Sequence, residues 1–70
     1  MIARGSIVDY GHVEDEVSVT RPAVVLQVNQ NGTADLGIFG LDGYSASAET
    51  EETTAVAPDP VEDYKWREQS

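Results

Sequence analysis

The fold is decided by the stretch Ala23-Val24-Val25-Leu26-Gln27-Val28, which is the strongest β-strand signal in the chain. A helix is a poor alternative, because three valines crowd a helical turn and Pro22 just before them marks a strand entry or a sheet edge. A turn at Asn31-Gly32 follows, and residues 33–38 then alternate again between apolar and polar side chains. The sequence therefore predicts a β-hairpin at the centre of the fold.

The register of this hairpin follows from the requirement that one face be buried. A two-residue turn would set Leu26 against Gly37 and mix apolar with polar rows. A three-residue loop, Gln30-Asn31-Gly32 with Gly32 in the left-handed conformation, shifts the register by one and aligns the two apolar rows. This loop predicts one wall of the core, built from the cross-strand pairs Val28 and Ala34, Leu26 and Leu36, and Val24 and Ile38.

Weaker strand signals flank the hairpin. Residues 6–10 are predicted to form a first strand, and residues 11–20 a polar connection whose second half could be an edge strand. Residues 44–48 could form a short strand, followed by an acidic loop at about 49–54. A C-terminal strand or tail is expected at about 61–70. The pattern predicts an all-β protein, a small SH3-like barrel or open roll of about five short antiparallel strands.

The length of 70 residues suffices for one domain, so residues 1–70 are predicted to form a single small β-barrel. A domain of this size has a thin core, and such domains often depend on disulfides, a metal or self-association. The chain has no cysteine, which excludes a disulfide framework and a thiolate zinc site. Oligomerisation is the remaining way to supplement the core, and a homo-oligomer is expected.

The charge restricts the possible partners. Thirteen acidic and four basic residues give a formal net charge of -9. Such a chain repels phosphate backbones, so direct binding to nucleic acid or to an anionic membrane surface is not expected. No apolar run approaches the roughly 18 residues of a membrane span, and no signal-peptide pattern opens the sequence. A basic protein partner, or mimicry of nucleic acid by carboxylates, fits the charge better.

No residue pattern points to catalysis, a cofactor or a metal. His12 lies near the acidic run Glu14-Asp15-Glu16, but the spacing matches no ligand motif, and a solvated loop histidine is the simpler interpretation. The acidic residues also lack the calcium-loop pattern. The serines have no base partner, and there is no glycine-rich phosphate loop. We therefore expect a protein that is not an enzyme.

The aromatic residues are the most suggestive candidates for binding. Five of them are many for a thin core, and packing is one interpretation. The other is an anchor patch of Tyr64 and Trp66 beside Arg67, since aromatic and arginine residues are enriched at binding hot spots. The three cations Arg21, Lys65 and Arg67 could also gather at one end if the last strand returned beside residue 22, which would suit head-to-tail assembly. The candidate partner-binding residues are Tyr44, Tyr64, Trp66, Arg67, Arg21, Glu49, Glu51 and Glu52.

Four short motifs lie along the chain: Gly5-x-Ile7-Val8-x-Tyr10, Arg21-Pro22-Ala23-x-Val25, Gly32-Thr33-x-x-Leu36 and a late Trp66. Together they resemble a group of small, mostly uncharacterised tailed-bacteriophage proteins. The resemblance implies a phage origin and a location in the virion or the host cytoplasm. Two roles follow as expectations: an accessory structural protein such as a capsid or tail decoration module, or an inhibitor of a host factor. The inhibitor would act by acidic mimicry or by sequestering a signalling nucleotide.

Overall fold

Five strands close into a small barrel in the computed structural model, which describes residues 2–41, 43–51 and 60–69. The described residues include no helix, and the all-β prediction of a small SH3-like barrel is confirmed. The strands are β1 (Ile7–Glu14), β2 (Val17–Val28), β3 (Thr33–Ile38), β4 (Ser45–Thr50) and β5 (Lys65–Glu68).

Neighbouring strands in the sequence are neighbours in the barrel, and β5 returns to pair with β1. Every pair is antiparallel except β4 with β5, which is parallel. The prediction of antiparallel strands is therefore wrong for the pairing of β4 with β5. A parallel pair needs a crossover connection of about a dozen residues or more, and residues 51–64 separate these two strands.

The turn of the central hairpin is the predicted one. The backbone N–H of Asn29 donates to the carbonyl of Thr33 at 2.9 Å, which leaves a loop of three residues between them. Gly32 has φ 89°, in the left-handed region that glycine adopts without steric cost. Val28 pairs with Ala34, as the loop predicts.

A β-bulge at Leu26 makes the predicted core wall half wrong. The register shifts between Val25 and Gln27, so that Val25 rather than Leu26 lies opposite Leu36. An extra residue reverses the alternation of side chains beyond it, and Val25 therefore points inward while Leu26 points out. Ala34, Leu36 and Ile38 are buried as predicted, whereas Ala23 and Val25 take the places of Val24 and Leu26. Val28 keeps its predicted partner Ala34 but is 51% exposed.

The core lies inside the barrel and draws on all five strands. Trp66 of β5 is only 9% exposed, and its indole N–H donates to the carbonyl of Ala48 at 3.0 Å. The packing interpretation of Trp66 is therefore the one that the structure supports. The buried members of this core are Val8, Tyr10, Ala23, Val25, Ala34, Leu36, Ile38, Ala48 and Trp66.

The first hairpin is longer than predicted. β1 continues to Glu14, so the predicted polar connection over residues 11–20 is wrong except for its second half, which is strand. Asp15 and Glu16 form a two-residue turn with φ 51° and 65°. Tight hairpin turns favour Asn-Gly or Asp-Gly. Neither dipeptide occurs here, so the sequence did not predict this turn.

A short segment before β5, residues 60–64, crosses the outside of the first hairpin, and we call it the strap. Val61 is 1% exposed, and its N–H donates to Oγ1 of Thr20 at 3.1 Å. The N–H of Tyr64 donates to the carbonyl of Gly11 at 2.7 Å. The backbone of Val61 passes so close to Gly11 that an added Cβ would lie 2.7 Å from the Val61 carbonyl oxygen. Because Gly11 has no Cβ, the strap can pack directly against β1 at this position.

Candidate functional site

Three apolar side chains project together from the outside of the barrel, and we call them the outer apolar face: Ile7, Val24 and Leu26. Ile7 pairs with Val24 across β1 and β2, and their neighbours Val8 and Ala23 point into the core. Ile7 is 41% exposed and Leu26 is 48% exposed, while Val24 is half-buried. The bulge is what brings Leu26 to this surface.

Gly37 and Ser45 extend this face toward β4, and neither has a bulky side chain. Gly37 pairs with Val24 on one side and with Ser45 on the other. A Cβ added to Gly37 would lie 3.4 Å from Cγ1 of Val24 and 3.6 Å from Cδ1 of Leu26, so these two side chains lean over the glycine. The outer surface is therefore nearly flat here, and its apolar side chains lie on β1 and β2.

Two aspartates lie on the same outward side as the apolar face. Asp9 is two residues from Ile7 on β1, and Asp35 is two residues from Gly37 on β3, so each points to the same side as its neighbour. Asp9 accepts a hydrogen bond from the amide of Gln69 at 2.9 Å. Asp35 accepts one from the amide of Asn29 at 3.0 Å. Both hydrogen-bond donors are neutral side-chain amides, and Asp9 also lies opposite Arg67 of β5, a cation that is paired with Glu51.

The last strand does not return beside Pro22, which is the condition on which the predicted basic spot depends. Each of three cations is paired with its own glutamate, and β5 returns beside β1 rather than beside Pro22 of β2. Arg21 and Trp66 both lie opposite Tyr10, on either side of β1, so a single strand separates Arg21 from the two cations of β5. The ion pairs are Arg21 with Glu14, Lys65 with Glu49, and Arg67 with Glu51.

The pair of Glu51 and Arg67 ties the strap to the barrel. Glu51 is 7% exposed, and its second carboxylate oxygen accepts a hydrogen bond from the backbone N–H of Glu62 at 3.1 Å. The hydrogen bond from Arg67 lowers the pKa of Glu51, against the opposing effect of burial. These two candidate residues therefore have a structural role within the described part of the chain.

Tyrosine and histidine rings pack together at one end of the barrel. The ring centroid of His12 lies 5.0 Å from that of Tyr44, edge to face, and 6.1 Å from that of Tyr10. Burial raises the pKa of Tyr10 to about 12, and a hydrogen bond with Tyr44 adds to the increase. His12 lies in β1 with its Nδ1 buried, so the prediction of a solvated loop histidine is wrong.

Within residues 2–41, 43–51 and 60–69, no group of three or more His, Asp or Glu side chains could hold a metal ion.

The remaining candidate residues divide between surface and interior. Tyr44 and Tyr64 are 38% and 55% exposed, whereas Trp66 is in the core. Glu52 lies outside the described residues. The sequence analysis did not predict that Ile7 and Leu26 lie on the surface. The signal in the sequence was the unbroken apolar run around Leu26, which makes both faces of β2 apolar.

A scan against protein-family models gave no match, and neither did searches of curated proteins and of solved structures. The described residues form no helix long and apolar enough to cross a membrane.

Proposed function

We propose that this chain is a non-enzymatic accessory structural protein of a tailed bacteriophage, a decoration or assembly module of the capsid or tail. It acts through contacts with other proteins. The observation that carries the proposal is the outer apolar face, where Ile7, Val24 and Leu26 lie side by side on the outside of a closed barrel.

The barrel does not need this face for its own core. The core residues are buried inside the barrel, and the outer apolar face lies on the other side of the same strands. Grouped exposed apolar side chains on a small soluble domain mark contact sites more often than scattered ones do. Closure of the sheet also removes most of the open strand edge, so side chains rather than an unpaired backbone supply the contact.

The tip of the first hairpin favours a second candidate function, inhibition of a host factor by acidic mimicry. Asp15 and Glu16 both adopt positive φ, a conformation that costs non-glycine residues about 1 kcal/mol each. The turn thus keeps two carboxylates at a site where glycine would be more stable. The nucleotide-sequestering version is less well supported, since Arg21, Lys65 and Arg67 are already paired with glutamates.

The copy number of the protein in purified phage particles tests the proposal. Quantitative mass spectrometry should find many copies in each particle if the protein is a structural accessory. A value near zero would reject this role and favour the inhibitor.

The expected homo-oligomer stays a prediction with a separate test. Native mass spectrometry of the purified protein alone should show a discrete oligomer over a wide concentration range. A monomer throughout would reject self-assembly and leave attachment to another protein as the mode of action.

A further inference from the structure

We propose, resting on the docking role above, that the outer apolar face binds a partner surface with an apolar centre flanked by lysine or arginine, and not a second copy of this chain. The apolar centre of the partner would cover Ile7, Val24 and Leu26. Its cations would meet Asp9 and Asp35.

The charge of the molecule supports a basic partner. The net charge is -9, and three of the four cations are engaged in ion pairs with glutamates. Asp9 and Asp35, which flank the face, are hydrogen-bonded by the neutral amides of Gln69 and Asn29. Complementary charge around an apolar centre guides association and fixes orientation.

A second copy is a poor occupant for the same reason. In a two-fold symmetric contact the same patch meets itself, so the aspartates of one copy would approach those of the other. Like charges that face each other across an interface are unfavourable, so these aspartates disfavour a symmetric contact through this face. A basic surface removes this repulsion and gains attraction.

The size and shape of the face predict how binding depends on salt. Three apolar side chains beside Gly37 and Ser45 make a small, flat contact. The flanking carboxylates are therefore expected to supply a large part of the attraction. Attraction between exposed charges is screened within about 8 Å at physiological salt, so the affinity should fall as salt is raised.

The test is a titration of the isotope-labelled 70-residue chain, monitored by its amide chemical shifts. The probes are two synthetic amphipathic peptides with the same leucine content, one with lysine and one with glutamate at the polar positions. The lysine peptide should shift the amides of Ile7, Val24, Leu26 and Gly37, and its affinity should fall several-fold between 50 and 500 mM salt, values chosen to span roughly a threefold change in screening length. The glutamate peptide should not bind.

Matched variants locate the contact. Leu26→Ser should weaken binding of the lysine peptide by about tenfold, as expected for an apolar anchor. Val17→Ser is the control, because Val17 is 58% exposed at the tip of the first hairpin, away from the face. This control should bind as the wild type does. Replacing both Asp9 and Asp35 by asparagine should remove most of the salt dependence.

Three results would overturn the proposal. Equal binding of both peptides would exclude charge selection, and shifts confined to residues 14–16 would place the contact at the hairpin tip instead. A dimer that forms in native mass spectrometry and is lost on Leu26→Ser would identify a second copy as the occupant. These readouts need no phage particle, so they are independent of the copy-number test of the proposed function.

Discussion

Replacing Gly11 by alanine should release the strap from the barrel. The new Cβ would lie 2.7 Å from the carbonyl oxygen of Val61 and would overlap the carbonyl of Glu62. Both obstacles are backbone atoms, so no side-chain rotation relieves the clash. The strap must therefore move outward as a unit.

The energetic cost can be estimated from the contacts that the strap loses. Val61 would leave a site where it is 1% exposed, which costs about 2 kcal/mol. The hydrogen bonds from Tyr64 to Gly11 and from Val61 to Thr20 would cost about 1 kcal/mol each. The sum is about 4 kcal/mol. A domain of this length has a total stability of about 4–10 kcal/mol, so the variant would lose a large fraction of it.

Urea and thermal denaturation followed by circular dichroism measure this loss. At about 4–8 °C per kcal/mol for a small domain, the Tm of Gly11→Ala should fall by about 15 °C or more. Gly5→Ala is the matched control, because Gly5 has φ 90° and no atom within 4 Å of its added Cβ. Its cost is confined to the backbone, about 1–2 kcal/mol.

A second substitution tests the mechanism. Val61→Ala should cost about 2 kcal/mol in the wild type and almost nothing once Gly11→Ala has displaced the strap. Additive costs, or a Tm for Gly11→Ala within about 2 °C of the wild type, would refute the reasoning, since the strap would then have stayed in place.

Three further variants follow from the same structure. Trp66→Phe should lower stability by about 1–2 kcal/mol through its lost indole hydrogen bond, measured by urea denaturation; weaker partner binding at unchanged stability would contradict its place in the core. Replacing Asp15 by asparagine and Glu16 by glycine should raise the Tm by about 4–8 °C, because the new residues favour positive φ, and an unchanged Tm would show that the turn is not strained. The lowered pKa of Glu51 gives stability that is present above the unfolded pKa of about 4.3 and is lost as pH falls through the lower folded value. Glu51→Gln should therefore flatten the acid limb of stability against pH, whereas an identical slope would mean that the Arg67 ion pair does not couple to folding.

The central hairpin could be predicted because its turn chemistry is local. Gly32 and the length of the loop set the pairing of Val28 with Ala34 from a few adjacent residues. The bulge at Leu26 could not be predicted, because residues 23–26 are all apolar and either face of β2 could be buried. Closure of the barrel decides between the faces, and that closure depends on strands distant in sequence.

The candidate surface was missed for the same reason. The predicted register assigns Leu26 to the core, so the sequence does not indicate an apolar face on the outside of the barrel. Trp66 shows the opposite error, since a tryptophan near a chain end between cations fits an exposed anchor as well as a core residue. Its burial depends on the pairing of β5 with β1, which joins Tyr10 to Trp66 and which no local pattern reveals.

The pairing of β1 with β5 also sets the order in which this protein can fold. Val8 lies opposite Glu68, so the contact that closes the barrel joins residues sixty positions apart, while the other antiparallel pairs are hairpins between consecutive strands. Hairpins form in microseconds, but contacts between distant residues are slow because the intervening chain must first lose its freedom. Until closure, both β1 and β4 present open edges that other chains can pair with. The interval between hairpin formation and closure is therefore when the nascent protein is most exposed to aggregation.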